Sequence, residues 1–139
     1  MSTIIGCPYP IVKNSLGFLS PQRGIDQVKS DLLILLLTNP GERVMMPNYG
    51  TPLRRYLFDQ NDPTTAGTVR DLIANSIKTW EPRITVKSIT VTDNVNEAAT
   101  NPSDTVQATD VLGINIEFFD PGNIKDVQNL SLQIPIPGA

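Results

Sequence analysis

Hydrophobic positions along the chain repeat first with a helical period and later with a strand period. Ile25, Val28, Leu32, Leu35 and Leu36 recur every three or four residues and predict a helix over 25–37. Leu33, Ile34 and Leu37 widen that stripe, so the helix is expected to be buried on more than one side, with Asp26, Lys29 and Asp31 lying away from it. Asn39-Pro40-Gly41 stops it. Pro40 disfavours helical geometry at Asn39, and Pro-Gly suits the central positions of a type II turn. Residues 42–49 read as short and extended, before a turn at Pro47-Asn48-Tyr49-Gly50. Thr51-Pro52 has the form of an N-cap followed by proline at the first helical position, opening a short helix over 52–58 with Leu53, Tyr56 and Leu57 on one face. Asp62-Pro63 repeats the device ahead of a helix over 63–79, whose seam is Val69, Leu72, Ile73, Ile77 and Trp80.

After Glu81-Pro82-Arg83 the period shortens to two. A strand is expected over 84–92, where Ile84 and Val86 alternate in one phase and Ile89 and Val91 in the other. That slip predicts a β-bulge near Lys87-Ser88. A polar loop follows at 93–109. A second strand over 111–119 points Leu112, Ile114, Ile116 and Phe118 one way, and Asp120-Pro121-Gly122-Asn123 marks a turn. A third strand over 127–134 points Leu130, Leu132 and Ile134 inward, and Pro135 and Pro137 block further ladder bonds. Helices first and strands after imply an α+β fold, with the helices packed on one face of a small, mostly antiparallel sheet of about three strands. We read 1–139 as a single domain, divided into an irregular arm (1–24), a helical half (25–80) and a sheet half (84–134). The arm has no sustained period and reads either as a frayed terminus or, favoured by Ile11, Val12, Leu16, Phe18 and Leu19, as an arm that orders on a partner.

Composition narrows the function. With 40% hydrophobic and 18% charged residues the chain is globular in character. A net charge of −3 gives no electrostatic reason to expect nucleic acid. The longest apolar run, 32–37, is far too short for a bilayer, and no targeting signal is legible, so a cytoplasmic setting is expected. The chain has no histidine and a single cysteine, Cys7, which excludes zinc sites of the usual type and the commonest general base. No cofactor motif is present: Pro40-Gly41 lacks the Gly-Lys-Ser/Thr of a phosphate loop, and 120–126 lacks the alternating acids of a calcium loop. Glu42 and Glu81 are the only carboxylates in a context worth testing for glycan hydrolysis. Each lies near an arginine, Arg43 or Arg83, which favours the ionised form and is wrong for a general acid. The expectation is a protein that is not an enzyme and takes no small-molecule substrate. Glu81-Pro82-Arg83 then has two readings, a rigid charged pair aimed at a partner or an internal salt-bridge network.

Gly41-Glu42-Arg43, Pro47-Asn48-Tyr49-Gly50, Leu57-Phe58 and Trp80-Glu81-Pro82-Arg83-Ile84 occur in an order and spacing that resemble the contractile-tail baseplate wedge family. That family includes the T-even phage sheath initiator and a related type VI secretion component. The resemblance is strongest over about 24–84 and continues weakly through 114–119 and 126–133; the arm and the 93–109 loop have no clear counterpart. Arg43 matches the family's arginine after the first helix, and Glu81-Pro82-Arg83 its signature tripeptide. The resemblance implies a structural wedge protein of the virion tail baseplate, assembled in the host cytoplasm. Its implied partners are other wedge proteins and the tail sheath protein, with no nucleic acid or membrane. It would initiate the sheath by offering a small sheet for strand addition, with Arg43, Glu81, Pro82, Arg83, Leu130, Leu132 and Ile134 as interface residues. The competing expectation is a small soluble regulator of the same fold that binds one partner protein.

Overall fold

The computed structural model describes residues 5–58, 63–94 and 111–135. Two short strands, β1 (Ile5–Gly6) and β2 (Gln22–Arg23), pair antiparallel and lead into helix α1 (Gly24–Leu37). A 3-10 helix (Leu53–Phe58) and helix α2 (Pro63–Trp80) follow. The second sheet contains β3 (Thr85–Asn94), β4 (Val111–Asp120) and β5 (Asn123–Pro135), antiparallel in the order β3-β4-β5. The fold is α+β, as the segregation of periods implies.

The sheet shows how alternation becomes a core. Val91, Ile114 and Leu132 form one cross-strand row, and Ile89, Ile116 and Leu130 the next. Val86 pairs with Phe118 in a third row that ends at Gln128. Val86 and Ile89 are three apart, so a regular strand would send them to opposite faces. The register shifts between Val86 and Ser88, the bulge expected from the slipped alternation, and the extra residue brings both back to the inner face. Ile114, Ile116 and Phe118 are buried and join Leu32, Leu35, Leu36, Leu53, Val69, Ile73 and Ile77 in one hydrophobic cluster. β5 begins four residues earlier than its apolar alternation, because backbone pairing with Phe119 and Asp120 does not require apolar side chains. The loop expected at 93–109 lies outside the described residues from 95 onward.

The predicted turn after α1 forms. Glu42 N–H donates to the Asn39 carbonyl at 3.1 Å, with Gly41 at φ 94°, as a type II turn requires. Residues 42–49, expected to be extended, are instead a loop of successive turns. Met46 N–H donates to the Arg43 carbonyl, Tyr49 N–H to the Met46 carbonyl, and Gly41 N–H closes the loop on the Pro47 carbonyl at 2.7 Å. The segment therefore turns back on itself through these bonds and pairs with no strand among the described residues. Gly50 follows with φ 121°, and a Cβ there would lie 2.3 Å from the Thr38 carbonyl oxygen, so only glycine fits against the end of α1.

Thr51 is not the N-cap its sequence position suggests. Its N–H is tied to the Thr38 carbonyl at 2.9 Å, the residue is fully buried, and its Oγ1 has no partner among the described residues. The segment after it is 3-10 rather than α, with Leu53 buried and Tyr56 half-buried against the core. The side chain of Leu57 lies outside the described residues.

The arm is more ordered than its lack of period suggests. Besides β1 and β2, it holds a tight hairpin around Asn14, which accepts from Leu16 N–H and Phe18 N–H through Oδ1, both at 3.0 Å. It covers a second side of α1, and that side is polar. Ser30 Oγ donates to Gln22 Oε1 at 2.7 Å and accepts from Tyr9 N–H, while Gln27 Nε2 reaches the Cys7 carbonyl at 3.4 Å. Gln27 and Ser30 are buried, whereas Leu37, counted in the widened apolar stripe, is exposed. No helix among the described residues is long and apolar enough to cross a membrane.

Candidate functional site

α2 ends at the tripeptide. Glu81 N–H still donates to the Ile77 carbonyl at 2.8 Å, and Pro82 then prevents the helical pattern from continuing. The chain turns, Ile84 enters the core, and β3 begins at Thr85. Glu81 is only 6% exposed at this corner. Its carboxylate is held by both arms of one guanidinium, Arg83 Nε to Oε1 at 2.5 Å and Arg83 Nη2 to Oε2 at 2.6 Å. Such a two-bond fork is the strongest geometry available to an ion pair. Nη2 also donates to Asp31 Oδ2 at 2.6 Å, across 52 residues of sequence. Asp31 Oδ1 in turn accepts from Gln27 Nε2 at 2.8 Å. One connected network thus joins the arm, α1 and the α2-to-β3 corner. The hydrogen bonds that Arg83 donates to Glu81, and secondarily to Asp31, push its pKa still further up despite partial burial.

A stack of rings lies beside this network. The Arg43 guanidinium sits 4.0 Å from the centre of the Tyr49 ring, and Tyr49 meets Trp80 edge-on at 5.2 Å and 65°. A cation over a ring face and an edge-to-face ring pair are each worth about 0.5–1.5 kcal/mol when partly desolvated. Burial is the main reason the Tyr49 hydroxyl pKa is raised; Asp31 and Glu81 add to the rise and Arg43 opposes it. The stack and the carboxylates therefore share one electrostatic environment.

The structure brings Arg43, Glu81, Pro82 and Arg83 to this corner. Pro82 also lines an open, mostly apolar groove of about 420 Å³ with Ile77, Ile84 and Val86. Leu130, Leu132 and Ile134 belong elsewhere, on the inner face of β5 two strands from the corner, with Leu130 buried and the other two half-buried. Sequence reasoning placed Asp31 away from the apolar stripe without giving it a role, and missed Gln27. Their spacing of four on a helix face was legible; the pairing of Asp31 with Arg83 was not.

Neither carboxylate suits acid catalysis. Both oxygens of Glu81 are taken by Arg83. Glu42 accepts from Asn39 N–H at 3.0 Å and Asn39 Nδ2 at 3.2 Å, and these bonds, with Arg54 nearby, hold its pKa below the ordinary value. A glycosidase general acid needs the opposite displacement. Among the described residues, no group of three metal-ligating side chains converges.

Residues 22–112 match the family model for baseplate wedge protein gp25. The chain belongs to this family. The matched span contains every residue of the corner, and most of the arm and all of β5 fall outside it. Baseplate wedge protein gp25 of Enterobacteria phage T4 is 27% identical over 116 residues, covering 84% of this chain and 79% of the phage protein. A crystal structure of a Geobacter sulfurreducens protein, provisionally described as a tail lysozyme, is 26% identical with a TM-score of 0.63, over 81% of this chain and 91% of that one. A chain of the six-fold symmetrised anti-feeding prophage baseplate shares the fold at a TM-score of 0.64 and 18% identity, over 99% of this chain and 89% of that one.

Proposed function

We propose that this protein is a structural wedge subunit of a contractile-tail baseplate that starts sheath assembly by lending the free edge of β5 to a strand of the first sheath ring. Family membership supports the wedge role. The character of the two sheet edges supports the choice of β5. β3 carries a bulge and Lys87, two devices that discourage strand pairing. From Val127 to Ile134 β5 has no charge and no proline, and it pairs only with β4 among the described residues. The irregularity and charges of β5 are confined to 123–126 and its proline to position 135, and the uncharged edge between them, 127–134, is the observation that carries the reading. Each added backbone hydrogen bond contributes only about 0.5–1.5 kcal/mol net, so firm attachment rests on repetition around a ring. The half-buried Leu132 and Ile134 would flank the incoming strand. The corner of Arg43, Glu81, Pro82 and Arg83 is the proposed wedge-facing element, preformed by its internal bonds. The partners are other wedge proteins and the sheath protein, in the virion tail after assembly in the host cytoplasm.

The test is a proline scan of alternate positions from Asn129 to Gln133. In one of the two phases the N–H faces away from β4. Proline there should leave thermal stability nearly unchanged and stop sheath growth on assembled baseplates. Normal sheath growth in both phases would remove strand addition at β5. Glycan hydrolysis is disfavoured because Arg83 and Asn39 occupy the two carboxylates. A measurable activity lost in both Glu42→Gln and Glu81→Gln would restore it.

A further inference from the structure

The loop between Gly41 and Tyr49 carries an apolar tip that stands clear of the core among the described residues. Val44 is 93% exposed and Met45 91%. A flexible loop with such a tip would be unremarkable in physical terms, but this one is clamped. Gly41 N–H closes it on the Pro47 carbonyl, and two further turn bonds tie Met46 to Arg43 and Tyr49 to Met46. Glu42 grips Asn39 at its base. Arg43, immediately before the tip, rests on the Tyr49 ring, which rests on Trp80. The loop has therefore surrendered its freedom in the unbound protein, which lowers the entropy lost on docking. Methionine at such a tip adapts its shape to an apolar cleft.

The charge around the tip indicates what it meets. Residues 41–58 contain three arginines, Arg43, Arg54 and Arg55, and one acid, Glu42, in a chain of net charge −3. Glu42 is engaged by Asn39, and its 3.8 Å contact with Arg54 joins two side chains that are 47% and 75% exposed, so it neutralises Arg54 weakly. The tip thus belongs to a stretch, 41–58, with two more positive than negative side chains, and Arg43 adjoins it directly.

We propose that Val44 and Met45 form a docking knob that inserts into an apolar cleft rimmed by aspartates or glutamates on another baseplate wedge protein. The proposal rests on the wedge reading above and names the surface and the partner chemistry for it. The apolar centre would supply affinity, and the local excess of arginine would supply encounter rate and salt dependence.

The experiment measures binding of the full chain to the purified wedge proteins encoded beside it, at low and high salt. The Val44→Ser/Met45→Ser double variant should lose at least tenfold in affinity while keeping its melting temperature. Arg54→Glu should bind several-fold more weakly and with a flatter salt response. If the double variant binds like the native chain, the knob is overturned while the wedge reading stands. If the native chain binds no wedge protein, both fall. If the native chain is a dimer that the double variant converts to monomer, a second copy occupies the knob and the proposal is overturned.

Discussion

The arm and the loop at 38–52 that meets the corner are both irregular, yet they relate to the rest of the molecule in opposite ways. The arm turns its apolar side chains outward, with Leu16 79% and Phe18 71% exposed, and is fixed to α1 by polar bonds through Gln27 and Ser30. The loop at 38–52 buries Thr51 and is fixed to the end of α2 through the Arg43–Tyr49–Trp80 stack, beside the Arg83 fork that holds the buried Glu81. The difference teaches that order in an irregular segment depends on where its side chains terminate, not on regular secondary structure. The arm is attached to the fold, whereas the corner is part of it.

The largest expected effect comes from breaking the corner at its cation. Arg83→Ala leaves Glu81 buried without its counter-ion and should cost about 3 kcal/mol in urea unfolding, the low end of the range for a broken buried pair because the guanidinium is partly exposed. Loss below about 1 kcal/mol would mean the network behaves as a solvated surface pair. Next comes a matched pair of glycine substitutions. Gly50→Ala meets both a positive φ and the Thr38 carbonyl, and should cost about 2–4 kcal/mol. Gly17→Ala in the arm hairpin has φ 81° but open space around it, and should cost only about 1 kcal/mol. Equal costs would erase the distinction between the two regions.

The smallest effect is the pH response of Glu42. Its folded pKa lies below its ordinary value of 4.5, so its contribution is complete above that value and is lost as pH falls through the folded one. Melting curves between pH 6 and pH 3 should therefore fall slightly less steeply for Glu42→Gln than for the native protein. Identical acid limbs would show that the Asn39 bonds do not hold in solution.

Much of the fold was legible because its determinants are local. The helical stripe in α1, the Pro-Gly turn after it, the proline start of α2 and the slipped alternation in β3 each involve residues within a few positions of one another. The misreadings came where a distant group competed with a local preference. Thr51 was drawn into the end of α1 instead of capping, and 42–49 closed on itself instead of extending. Arg43 and Glu81-Pro82-Arg83 were singled out through the resemblance to the wedge family, and they lie together at one corner of the structure.

The sequence by itself determined the order of the long helices and strands, the inner face of the sheet, the position of the bulge and the stiff Glu-Pro-Arg corner. Tertiary structure decided what those charges do. Only packing brings Asp31 to Arg83 across 52 residues, seats Arg43 on Tyr49, and lays the arm on Gln27 and Ser30. Periodicity specifies which face of an element is buried, because neighbours along the chain set it. The partner that a buried polar group finds on that face depends on how the elements meet, and no local pattern encodes that meeting.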